Sequence, residues 1–278
     1  MKKSNQKSNP AIHLGMVLLG ILVVVALAVI STPVILKSEK YADMTQATSN
    51  AKQVFYQMVD FDQDYGEFPG DATAVLHSGK GRAPGVNLSS FKGKHSNDYM
   101  GQLIAAGYVK EESLFVAPWE KNAGRKADNS ISPRERILEA GECNFSYIKN
   151  QSTANNSGRP ILLAPMTGEG FTFNPDVYRG KAVVLRIDGS VRSFLIDNKS
   201  HLAKIGGGKT MFEGGQDTVW GVEGFDPENL VHPKPWLRHL KDSWGIKIGI
   251  VVAVVLAVVV ICITRSRRKK KGLSRAKG

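Results

Sequence analysis

Residues 14–71 read LGMVLLGILVVVALAVISTPVILKSEKYADMTQATSNAKQVFYQMVDFDQDYGEFPGD, and this stretch decides the fold. No charge occurs among the 23 residues between His13 and Lys37. At about 1.5 Å per residue, a helix of that length crosses a hydrocarbon core of ~30 Å. Beyond it, apolar side chains recur at steps of three and four: Tyr41, Met44, Ala47, Ala51, Val54 or Phe55, Met58 and Phe61.

The helix predicted from this pattern is transmembrane over residues 14–36 and amphipathic beyond them. Pro33 lies near the membrane exit, where we expect it to kink the helix rather than end it. Gly66 and Pro69 follow the last periodic residue and are expected to end the helix.

Short apolar or alternating runs later in the chain predict the strands of a small antiparallel sheet: 145–147, 161–164, 171–173, 182–187 and 191–196. Asp188 and Gly189 separate the last two runs, and both tolerate the positive φ angles of a tight hairpin turn. Asp98 is expected to cap a short helix. Residues 199–244 are rich in glycine and weakly periodic, which predicts an irregular return segment.

The charges indicate how the chain is organised. Of the 37 Lys and Arg residues, 25 lie between Lys37 and Gly245, where they balance all 25 Asp and Glu residues. A nucleic-acid-binding domain would concentrate basic residues on its folded surface, so the neutral middle excludes that class of partner. Basic flanks at 1–13 and 265–278 border two apolar segments and are expected to stay in the cytoplasm.

The sequence therefore predicts two passes through the inner membrane, over 14–36 and 245–264, with membrane lipid as a partner. The extracytoplasmic part comprises a domain at 37–198 and the return segment. The alternative for the first segment is a cleaved secretory signal, because Ala26-Leu27-Ala28 offers a small-residue cleavage site. The apolar run continues beyond Ala28, which favours a retained anchor.

Three pieces of the sequence resemble one family. They are TQATSNAKQVFYQMVDFDQDYGEFPGD at 45–71, LFVAPWE at 114–120 and VVLRIDGSVRSF at 183–194. In this order they resemble type IV pilin-like proteins, and among them the pseudopilins of type II secretion. The resemblance implies an α+β fold in which a long N-terminal helix packs on a small antiparallel sheet. It also implies partners among other pilin-like subunits or secretion-system membrane proteins.

The N-terminus departs from the pattern of that family. Gly15 corresponds to the glycine after which prepilin peptidase cuts, but Met16 follows it, and Gly20 replaces the glutamate used in filament assembly. The second apolar segment is also not a family feature. These departures favour a relative that stays in the membrane.

Asp60, Asp62 and Asp64 alternate along the end of the amphipathic helix and suggest an oxygen-ligand calcium loop. Counted from Asp60 against the EF-hand template, Tyr65 stands at the glycine position and Asp71 at the glutamate position. Because both defining positions fail, solvated acids at a helix end are the favoured interpretation.

No histidine pair, nucleophile elbow or phosphate-binding loop has a recognisable spacing, so neither a catalytic site nor a cofactor is expected. The leading hypothesis is a non-enzymatic pseudopilin-like membrane protein with a structural or assembly role. Small residues in its first helix, among them Gly15 and Gly20, permit close helix approach. The alternative is a membrane-tethered binding or sensing domain whose ligand surface is formed by residues 70–97 and 199–240. An enzyme with an unfamiliar site is the third hypothesis.

Overall fold

The computed structural model describes residues 10–76, 86–118, 127–130, 132–206 and 208–236. The first element is a single α-helix, α1, at Pro10–Tyr65, and Pro33 lies within it without ending it. Gly66 follows α1 with a φ of +86°, the left-handed conformation in which helices commonly end, and its N–H donates to Asp62 O at 2.7 Å. The long N-terminal helix predicted from the sequence is confirmed, with its predicted end.

Among the described residues, no helix has the length and apolar character needed to cross a membrane. Side chains of most residues in 14–36 are outside the description. The predicted segments 245–264 and 265–278 lie wholly outside the described residues, as do residues 1–9.

The remaining helices are short. α2 spans Asp71–Leu76, and α3 spans Ser96–Ala105. Asp98 is in the first turn of α3 but is not its cap, because His95 occupies that position and donates its N–H to the Asp98 carboxylate at 3.1 Å. Single 3-10 turns occur at Leu88–Phe91, Glu112–Phe115, Arg134–Arg136 and Pro227–Asn229.

A five-stranded antiparallel sheet has the order β4-β3-β2-β1-β7. Its strands are β1 (Ser146–Ile148), β2 (Pro160–Ala164), β3 (Lys181–Arg186), β4 (Val191–Leu195) and β7 (Leu230–Val231). β5 (Lys204–Gly206) and β6 (Lys209–Thr210) form a separate hairpin. The predicted fold class, α+β with a small antiparallel sheet, is confirmed at this level.

The predicted strand at 171–173 was wrong. Phe173 makes only an isolated bridge with Met166, and Thr167 N–H donates to Thr172 O across a tight turn. Gly168 and Gly170 have positive φ angles in that turn. The aromatic side chains that suggested a strand pack in a core formed by distant residues instead.

The two faces of the sheet are covered by different parts of the chain. Val183 and Leu185 of β3 face the core shared with α1, whereas Ala182 and Val184 face a second core. The buried members of this second core are Ile148, Leu163, Met166, Phe173, Ala182, Val184, Ile196, Ala203, Met211, Phe212 and Trp220. Residues 199–231 therefore carry three strands and pack on the sheet, where the sequence predicted an irregular segment.

The β3–β4 hairpin has the predicted Asp188-Gly189 turn. Asp188 Oδ1 accepts the Ser190 N–H at 2.8 Å, and Gly189 has a φ of +74°. A Cβ on Gly189 would lie 2.5 Å from Cε1 of Phe55 on α1. The turn is therefore restricted both by its backbone conformation and by the helix beside it.

We expect Gly189→Ala to lower the free energy of unfolding by about 1–3 kcal/mol, because alanine disfavours the positive φ angle and its Cβ would clash with Phe55. Gly168→Ala is the matched control, since Gly168 has a φ of +91° and nothing within 4 Å of an added Cβ. Urea denaturation of the two variants measures the difference. Equal losses would contradict the close approach of Phe55.

Cys143 is a free, buried thiol, 3.5 Å from Ser96 Oγ. Burial raises the pKa of this thiol from 9.0 to about 11. We expect a Cys262→Ser variant to resist alkylation at pH 8 and to react only on unfolding, because the thiolate is the reactive form. Rapid alkylation without denaturant, followed by mass spectrometry, would show that the thiol is accessible and contradict this packing.

Candidate functional site

The two halves of α1 have different environments. Among the side chains described in its N-terminal half, three large apolar ones are exposed: Leu19 at 64%, Val23 at 47% and Leu36 at 45%. The apolar stripe of the C-terminal half is fully buried from Ala47 onward, whereas Tyr41 at its start is 55% exposed. The buried members are Ala47, Ala51, Val54, Met58 and Phe61. We call residues 14–36 of α1 the stalk. Exposed apolar side chains of this kind make the stalk a candidate interaction surface.

Asn50 joins α1 to the segment that follows α3. Its Nδ2 donates to the backbone oxygens of Ser113 and Val116 at 3.0 and 2.7 Å, and Gln46 donates to its Oδ1 at 2.8 Å. The sequence interpretation missed this residue. Its signal was a polar side chain on the apolar stripe, three residues after Ala47.

The three candidate aspartates are not brought together. Asp60 and Asp64 are exposed, whereas Asp62 is only 8% exposed. An α-helix turns by about 100° per residue, so Asp62 points away from the other two. Asp62 Oδ2 accepts from the hydroxyl of Thr153 and from its N–H at 3.3 Å, and Asp64 accepts from the hydroxyl of Tyr108.

The loop after α1 is held on the sheet by hydrogen bonds. Phe68 N–H donates to Gln151 O at 2.8 Å, and the Tyr147 hydroxyl donates to Pro69 O at 2.6 Å. Burial raises the pKa of Tyr147 well above its ordinary value, and the negative charges of Glu67 and Asp62 add to the rise. Pro69 therefore lies in a loop whose backbone is hydrogen-bonded to the sheet.

Asp71, Lys149 and Tyr99 form a partly buried polar group. Lys149 Nζ lies 2.7 Å from Asp71 Oδ2, and the Tyr99 hydroxyl donates to Asp71 Oδ1 at 2.9 Å. Burial would raise the Asp71 pKa, but hydrogen bonds from Lys149 and Tyr99 hold it below its ordinary value. Burial and the charge of Asp71 raise the Tyr99 pKa. These groups keep their charge states near neutral pH, so the arrangement suits a structural ion pair better than acid–base chemistry.

A second acidic group was missed by the sequence interpretation. Glu112, Asp128 and Glu142 place carboxylate oxygens within 4.8 Å of one another, and Glu112 and Glu142 are 1% and 0% exposed. Glu112 accepts two backbone N–H groups at 2.8 and 3.1 Å, and Glu142 accepts one at 2.6 Å. Asp128 pairs with Arg136 at 2.6 Å.

This spacing of oxygens would fit a divalent cation, but the same oxygens already accept protein donors. Burial raises the Glu112 pKa, the charge of Asp128 adds to the rise, and the backbone hydrogen bonds oppose it. The group therefore also serves to attach residues 128–142 to Glu112. Asp128 follows Glu112 by 16 residues, and Glu142 follows Asp128 by 14. This spacing matches no metal-ligand motif, so the group left no signal in the sequence.

A polar cleft of about 390 Å³ lies at the start of α3. Asp98 and Arg134 form an ion pair at 2.6 Å in its wall, and the Arg134 guanidinium stacks over Phe91 with 4.0 Å to the ring centroid. Ser90 and Lys234 also line it. The cleft thus joins the two stretches in which the sequence placed a possible ligand surface.

The glycines of the stalk lie within α1. Gly20 has no atom within 4 Å of an added Cβ, so among the described residues nothing approaches it. Gly15 lies one and a half turns earlier in the same helix. Their effect on helix approach stays a prediction.

No family model, curated protein or solved structure matches this chain.

Proposed function

We propose that this chain is a non-enzymatic, pseudopilin-like membrane protein with a structural or assembly role. The observation that carries the proposal is the contrast within α1 between exposed apolar side chains in the stalk, at Leu19, Val23 and Leu36, and a C-terminal half packed on an antiparallel sheet. A stalk of this kind needs lipid or other helices around it, because its sequence is an uncharged run of 23 residues and the apolar side chains described in it include exposed ones.

The proposal places the chain in the inner membrane in two passes, with both termini in the cytoplasm and the described domain outside it. Its support is the charge pattern, since the basic excess is confined to the two ends. The partners are membrane lipid and pilin-like subunits or secretion-system membrane proteins. Nucleic acid is not a partner, and the described residues offer no recognisable set of catalytic groups.

Site-specific photo-crosslinking in native membranes tests the role of the stalk. A photoreactive amino acid at Leu19 is expected to form adducts with membrane proteins, because the stalk makes lateral contacts with them. The matched control is Tyr56, which is 53% exposed on the packed half of the same helix. Adducts with lipid alone at Leu19 would contradict an assembly role. The function of the stalk would then be to attach the domain to the membrane.

The second candidate function is a membrane-tethered binding or sensing domain. The cleft lined by Ser90, Arg134 and Lys234 favours it, because the cleft has the volume of a small-molecule site and charged walls. A ligand that raises the melting temperature of the wild type but not of Arg134→Met would support this function over assembly.

A further inference from the structure

Asp62 carries an oxygen atom that the surrounding protein does not satisfy. The side chain is more than nine-tenths buried, and Thr153 occupies its Oδ2. Its Oδ1 is buried and accepts no hydrogen bond among the described residues. A buried carboxylate oxygen without a donor is costly, so such an atom commonly marks the place of a water or an ion.

Other oxygen atoms converge beside the same end of α1. Glu67 Oε1, Asn150 Oδ1 and Phe68 O lie 3.3, 3.1 and 3.5 Å from the point where a Cβ on Gly70 would be. Asn150 Oδ1 accepts only a long hydrogen bond, from the Asp71 N–H at 3.4 Å. The absence of a side chain at Gly70 keeps this space open. Carboxylate, amide and backbone oxygens with no nitrogen or sulfur are the ligands that calcium and magnesium prefer.

The segment 150–153 connects Asp62 with these oxygens. Its residues contact the end of α1 and the following loop in turn: Asn150 beside Glu67, Gln151 on Phe68, and Thr153 on Asp62. The negative charges of Asp62 and Glu67 both contribute to the raised pKa of the buried Tyr147. The nearby ammonium group of Lys149 forms an ion pair with Asp71 at 2.7 Å.

We propose that Asp62, Glu67 and Asn150 bind a divalent cation of the calcium–magnesium class at the C-terminal end of α1. The ligands come from the helix, the loop after it and the segment after β1, so the ion joins three parts of the fold. This is not an EF-hand loop, and the exposed Asp60 and Asp64 take no part. Its role is to fix the packed half of α1 on the sheet, whatever the stalk contacts.

The test is a titration of the full chain in detergent, stripped with EDTA and then given Ca²⁺ or Mg²⁺. Calorimetry is expected to give saturable binding of one ion, and the melting temperature is expected to rise with it. Asp62→Asn should abolish both effects. Asp60→Asn is the matched control on the same helix and should keep both, as should Glu142→Gln in the other acidic group.

Two results would overturn the proposal. The first is no saturable binding to the stripped wild type, which needs no variant. The second is binding that survives in Asp62→Asn. If the binding that survives in Asp62→Asn is lost in Glu142→Gln, the ion lies among Glu112, Asp128 and Glu142. If Asp62→Asn does not fold, Glu67→Gln removes a ligand from the same site and is expected to abolish the response.

Discussion

Phe61→Ala is expected to lower the free energy of unfolding by about 3–5 kcal/mol, the usual loss for a buried phenylalanine. Phe61 is fully buried on α1, stacks on Tyr65 with 4.3 Å between ring centroids, and meets Tyr108 edge-on at 5.8 Å. Alanine would leave a cavity where the helix, the loop after α3 and the sheet meet. Urea denaturation followed by tryptophan fluorescence measures the loss.

Tyr56→Ala is the matched control, because Tyr56 lies on the same helix with about half of its side chain exposed. A solvent-facing substitution of this kind is expected to change the free energy of unfolding by less than about 1 kcal/mol. Similar losses for the two variants would mean that α1 does not pack on the domain through its Phe61 face.

The second large effect is expected in the stalk. Replacing Val23 and Leu27 together with aspartate adds about 5–7 kcal/mol to the free energy of membrane insertion, at roughly 2.5–3.5 kcal/mol for each charged residue near the centre of a helix. In a chain that ends at Trp236, so that only the stalk can anchor it, this pair is expected to move the protein from the membrane pellet to the supernatant after alkaline carbonate extraction.

The matching pair Val23→Ala and Leu27→Ala keeps the segment uncharged and should remain in the pellet. Retention of the aspartate pair would contradict anchoring by the stalk. Loss of both pairs from the pellet would contradict it equally, since alanine is compatible with a membrane helix.

Local signals in the sequence were sufficient for some of the fold. The three- and four-residue spacing of apolar side chains predicted α1, because a helix fixes which side chains share a face. Asp188 and Gly189 predicted the β3–β4 turn, because the conformation there depends on those residues themselves. The short strands β5 to β7 left little periodicity, and they depend on pairing and packing with distant residues.

The candidate site was less accessible from the sequence, because burial decides its chemistry. The sequence alone does not distinguish Asp60, Asp62 and Asp64 from one another. Only the rotational phase of α1 on the sheet decides that Asp62 is buried and that the other two are exposed. The same phase identifies Asn50 as a polar residue on the buried stripe. The ligands proposed with Asp62 come from segments more than 80 residues apart in the chain, a separation that no local motif encodes.

The most direct test of the proposed membrane topology measures the intact mass of the membrane-extracted chain and the protease protection of both termini in its native host. The two-pass account predicts a full-length mass with both termini protected on the cytoplasmic side. A mass lacking the residues up to Gly15 would restore pilin-type processing and contradict an unprocessed N-terminus. A mass lacking the residues up to Ala28 would contradict it through cleavage of a secretory signal.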